Sequence, residues 1–195
     1  MVGSRILGLP LAAALVMGFG LSGATAQTPN PLAPPAITIA PDDAFGEEVM
    51  MTEMTIIYLA GSGLWDSAFE TIVEAFKSVY SAMDKLGVKP NGAPMTIYTA
   101  TDDTGFQFQA AVPVAQVPRA MPSGDIKMGK SPVGAALKFV HRGSYDEMDT
   151  TYEAIAHHLD ERKLEAKDLF VEQYMKDPIT TADDDLVIEI YVPLK

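Results

Sequence analysis

"MTIIYLAGSGLW", Met54–Trp65, reads as an apolar strand, then Gly63, then an aromatic, Trp65. The order returns in "ALKFVHRGSY", Ala136–Tyr145, with Gly143 and Tyr145. An amphipathic stretch follows each. The first, over Asp66–Leu86, sets Phe69, Ile72, Val73, Phe76, Val79, Tyr80 and Met83 at helical spacing. The second, over Ser144–Lys163, sets Met148, Tyr152, Ile155, Ala156 and Leu159 so, with Ser144 and Glu147 spaced as a capping box. Two strand-like runs follow each helix. They are "PMTIYTA" (Pro94–Ala100) and "FQFQAAVPV" (Phe106–Val114), then "FVEQYM" (Phe170–Met175) and "LVIEIYVPL" (Leu186–Leu194). The endings "AVPV" and "YVPL" lie 80 positions apart, as do Gly63 and Gly143. A feature order that recurs at one offset reads as an internal duplication. The expected fold is therefore α+β. Two strand-helix-strand-strand units, about 45–114 and 131–195, form one pseudo-twofold antiparallel-sheet domain with two long helices.

Outside this frame the chain changes character. Arg5, the apolar run Ile6–Leu21 and "ATA" (Ala24–Ala26) read as a secretory signal peptide over residues 1–26. The proline-rich stretch 27–44 reads as a linker. The expected localisation is export, into a periplasm-like compartment, with no stable membrane insertion after cleavage. There are no cysteines, which excludes disulfides and thiolate metal sites. A net charge of -12 from 26 acidic and 14 basic residues argues against a nucleic-acid surface and allows cationic ligands. Between the halves, Ala115–Pro132 reads as a loop with one short strand. The acidic run "TADDD" (Thr181–Asp185) reads as a solvated turn.

In the strand "FVEQYM", alternation puts Phe170, Glu172 and Tyr174 on one face. Either that face is wet and Glu172 is an ordinary surface carboxylate, or Glu172 lines a pocket suited to a cation. Tyr98 is the counterpart of Tyr174 in the first half, and Thr96 stands where the second half has Glu172. Trp65 and Tyr145 occupy matching positions at the helix starts and could close a pocket; Tyr152 reads as core. His157 and His158 are adjacent on a helix and cannot share a face, and no other metal spacing exists. No metal or cofactor is expected, and His141 is read as bonding the turn that follows it. No nucleophile elbow, phosphate loop or dinucleotide fingerprint is present, so no catalytic residue is assigned.

The second half carries His141, Gly143, Tyr145, Tyr152, then Glu172 and Tyr174 in an E-x-Y strand, then Asp177, Pro178 and Pro193. In that order these residues resemble the GyrI-like small-molecule-binding domain, the fold of the effector-binding domains of AraC-type and MerR-type regulators. The resemblance covers about Met50–Lys195. It implies a ligand pocket between the halves, lined by aromatics and by Glu172. Expected ligand-binding residues are Glu172, Tyr174, Tyr98, Trp65 and Tyr145. The expected partner is a small lipophilic or cationic molecule, with oligomeric state left open. Unlike the regulators, this sequence shows a leader and linker where they carry a DNA-binding domain. Some members of the resembled family are hydrolases of strained lipophilic compounds. This implies an alternative in which Glu172 is a general base and Tyr174 or Tyr145 a donor. A third reading is an envelope interaction module with a vestigial pocket.

Overall fold

The structure, a computed structural model, describes residues 45–118 and 122–195. The expected signal peptide and the whole linker lie outside the described residues. In chain order the elements are β1 (Glu47–Met51), β2 (Thr55–Leu64), α1 (Ala68–Leu86), β3 (Met95–Thr101), β4 (Gly105–Pro113), β5 (Ile126–Lys130), β6 (Gly134–Arg142), α2 (Met148–Arg162), β7 (Phe170–Tyr174) and β8 (Val187–Pro193). Short 3₁₀ turns, Trp65–Ser67 and Tyr145–Glu147, lead into the helices. One eight-stranded sheet has the order β1-β6-β8-β7-β3-β4-β2-β5, with every pairing antiparallel.

This order is a palindrome of the duplication. The halves meet where β3 pairs with β7, and β4/β8 and β2/β6 flank that seam symmetrically. The repeat is longer than the sequence reading gave it. Strand β1 precedes β2 in the chain yet pairs with β6, and β5 precedes β6 yet pairs with β2. Each half therefore lends its first strand to the other. The short strand expected between the halves is β5; β1 was missed because "EEVMM" is half charged and too short to alternate clearly.

The exchange forces the sheet to curl. In a flat sheet β1 and β2 would be six spacings, ~29 Å, apart. The four residue steps from Met51 to Thr55 reach only ~14 Å. The same holds from Lys130 to Gly134. The two connections are tied by Met54 N–H donating to Ser131 Oγ (2.9 Å) and Ser131 N–H donating to the Met54 carbonyl (2.9 Å).

One face of the sheet carries both helices and the main core. Helix α1 buries Ile72, Ala75, Phe76, Val79 and Met83 at helical spacing, against Ile57, Phe106, Phe108 and Val112. Helix α2 buries only Met148 and Ile155; part of its inner face borders a cavity instead. The other, inward-curled face has a smaller core of Ile56, Met95, Ile97, Ala111 and Val171. The capping-box expectation is corrected: Ser144 Oγ accepts from Asp146 N–H (3.3 Å), two positions on rather than three, and caps the 3₁₀ turn.

Candidate functional site

Glu172 is central in β7, opposite Thr96 of β3 and Ile190 of β8. Its side chain is buried, 1% exposed. It shares the helix face with Phe170 and Tyr174, as alternation requires. The solvated-surface reading of Glu172 is therefore excluded.

Four tyrosine hydroxyls converge on this carboxylate. Tyr152 donates to Oε1 at 2.8 Å. Oε2 receives Tyr174 at 2.9 Å, Tyr98 at 3.0 Å and Tyr145 at 3.2 Å. The hydroxyls of Tyr98 and Tyr145 are also 2.8 Å apart. Each ring is fixed by another. Tyr98 stacks on Phe170 with centroids 4.3 Å apart, and Tyr145 on Phe69 at 4.9 Å. Tyr152 meets Phe170 edge-on, and Tyr174 meets Phe76 edge-on.

Burial pushes the Glu172 carboxyl above its ordinary value, because the low-polarity surroundings disfavour charge. The four hydroxyl hydrogen bonds oppose that shift. Burial and then the nearby Glu172 charge hold Tyr98, Tyr152 and Tyr174 well above the usual phenol range, and Tyr145 likewise. The tyrosines are thus donors at all working pH.

Glu172 forms the floor of a cavity of about 570 Å³. Around it stand Trp65, Tyr145, Tyr152, Phe170, Met148 and Thr101, with Asp66, Asp146 and Asp149. Among the described residues no basic side chain lines it. A bulge after Tyr98 shifts the β3–β4 register, which turns Thr101 to the cavity side. Trp65, 38% exposed, sits at the mouth with its ring tilted over Phe106 and stacked beyond Tyr98. Of the expected residues, Glu172, Trp65 and Tyr145 border the cavity. Tyr98 and Tyr174, both buried, do not border it; they hold Glu172 from behind. Tyr152, read as core, borders the cavity and donates to Glu172. It lies four positions after Met148 and three before Ile155, so helical spacing gave it the same signal as the core.

Each half pins its own mouth aromatic with its own hairpin loop. Trp65 Nε1–H donates to the Asp102 carbonyl (2.8 Å) in the β3–β4 turn. Asp183, in the β7–β8 loop, accepts from the Tyr145 backbone N–H (3.2 Å) and from Ser144 Oγ. "TADDD" is largely exposed, as expected of a solvated turn, and it also clamps the mouth. Buried His141 holds the same turn from below. Nε2–H donates to the Ser144 carbonyl (2.9 Å), which leaves Nδ1 to accept from Thr151 Oγ1 (2.8 Å). Among the described residues no group of His, Asp and Glu could hold a metal ion.

No curated protein matches the chain. Solved structures match its fold. EcmrR in a DNA complex aligns at 13% identity and TM-score 0.65, covering 77% of this chain and 57% of that one. The isolated EcmrR C-terminal domain aligns at 15% and 0.63, covering 77% and 96%. A hydrolase from Listeria innocua aligns at 14% and 0.56, covering 77% and 92%. SAV2435, solved bound to tetraphenylphosphonium, aligns at 14% and 0.53, covering 78% and 94%. The chain thus spans just over half of the EcmrR chain in the DNA complex and nearly all of the isolated C-terminal domain. A family model matches residues 47–195, from the first lent strand to the last residue. The chain belongs to the GyrI-like small molecule binding domain family.

Proposed function

We propose that this domain binds a small, lipophilic organic cation, anchored by Glu172, in an exported, periplasmic protein. The observation that carries this reading is the buried carboxylate at the floor of an aromatic cavity whose other ionisable wall residues, apart from two tyrosines, are aspartates. Ring faces attract an organic cation by roughly 0.5–2 kcal/mol each as it loses water. The aspartates draw it to the mouth, and Glu172 neutralises it at the floor. Tyr98 and Tyr174 orient the carboxylate. The likeness to SAV2435 bound to tetraphenylphosphonium supports the choice of a cation. Export rests on the leader sequence alone.

The open cavity favours ligand binding over a vestigial, self-filled pocket. A hydrolytic role would require Glu172 to free an oxygen from its tyrosines and take a proton from water. Binding requires no such step.

The test is a Trp65 fluorescence titration with tetraphenylphosphonium and with neutral triphenylphosphine oxide. Saturable binding that favours the cation is expected. Equal affinity for the two would remove the charge preference, and the absence of both by calorimetry would remove the pocket. Product formed from a strained lipophilic substrate would move the reading to hydrolysis.

A further inference from the structure

A second cavity, of about 310 Å³, lies on the far face of the sheet, where the two short connections cross. Its lining includes Met50, Met51, Met54 and Met95. Met51 ends β1 and Met54 ends the connection to β2, so "MTEM" spans the crossing. Met95 begins β3 and is 2% exposed. Met51 and Met54 pack against the small core that contains Met95. The sheet's curl thus brings thioethers from two distant stretches to one place. Met50, 68% exposed, alternates to the other face of β1.

Among the described residues the rest of the lining holds no carboxylate and no imidazole. It therefore offers little to Ca²⁺, Mg²⁺ or Zn²⁺, which take oxygen or nitrogen donors. Thioethers are soft, uncharged donors that favour Cu(I) and similar monovalent ions. The Lys138 ammonium at the rim is paired with Glu47 at 2.8 Å and lies 3.8 Å from Glu189, so its charge is offset.

We propose that Met51, Met54 and Met95 form a thioether site for a soft monovalent cation, Cu(I) or Ag(I). This site is independent of the Glu172 cavity on the opposite face. Thioethers do not titrate in the ordinary pH range, so the donors stay available across it.

The experiment is an anaerobic Cu(I) competition against bicinchoninate, with Ag(I) followed by calorimetry, on the full chain. One ion per chain is expected. Met51→Leu/Met54→Leu should weaken binding by about tenfold or more, while Met175→Leu, at an exposed methionine elsewhere, changes nothing. Leucine nearly conserves the volume, and circular dichroism checks that the double variant folds. Methyl resonances of Met51, Met54 and Met95 should shift with Ag(I), and that of Met175 should not. The proposal is overturned if bicinchoninate strips all of the ion, if the double variant binds equally well, or if Met175 shifts alike.

Discussion

Replacing Glu172 with Gln tests the charge at the cavity floor while nearly preserving shape. An aryl-shielded cation resting on that floor would hold its charge centre ~6 Å from the carboxylate. At an effective dielectric constant near 20 the attraction is then ~2.8 kcal/mol, or about a hundredfold in Kd. Part of it is offset at any pH where the raised carboxyl of the empty site still holds its proton, because that proton must leave first. The expected loss is therefore about tenfold to a hundredfold for tetraphenylphosphonium. For triphenylphosphine oxide it is under about threefold, since only the hydrogen-bond pattern changes. Calorimetric titration of wild type and Glu172→Gln with both ligands measures this. Equal losses for cation and neutral ligand would refute the reasoning, because the carboxylate would then act through cavity shape.

Four further outcomes follow from the structure. Cation affinity should rise with pH through the raised Glu172 pKa and then level off, with proton release on binding, readable by calorimetry in buffers of different ionisation enthalpy. Folding should respond oppositely: above the ordinary value of 4.5 the folded domain keeps a proton that the unfolded chain has lost, so Glu172 makes stability fall as pH rises across that window. Urea midpoints of wild type should therefore drop relative to Glu172→Gln from pH 4 to 7, and parallel curves would contradict the raised carboxyl. Asp183→Asn should weaken the clamp on Tyr145, speeding cation dissociation in stopped flow severalfold with little change in thermal midpoint; an unchanged off-rate would count against the clamp. Gly105→Ala should cost about 1–3 kcal/mol in urea unfolding, because its Cβ would lie 2.3 Å from the Gly63 carbonyl oxygen.

The duplication was legible because paired landmarks, Gly63 with Gly143 and the two Val-Pro endings, kept one offset. So was the face that Glu172 shares with Phe170 and Tyr174, since strand alternation is local. The exchange of β1 and β5 was hidden, because strand pairing over such distances is set by tertiary closure and not by either pentapeptide. Tyr152 was hidden for a related reason: the side of a helix that faces a core and the side that faces a cavity share one periodicity. Asp183 was hidden because an acidic turn looks solvated until a partner arrives from Ser144 and Tyr145.

The lent strands also set a schedule for a chain made from its N-terminus. Glu47 pairs with Lys138, 91 positions later. At 5–20 residues per second a nascent β1 waits roughly 5–18 s before its neighbour exists. During that wait "EEVMM" is a bare edge with two apolar methionines. Glu47 and Glu48 lead it, and such charges discourage edge-to-edge pairing with other chains. Their removal would thus show first in the yield of soluble protein, before any loss in the finished domain.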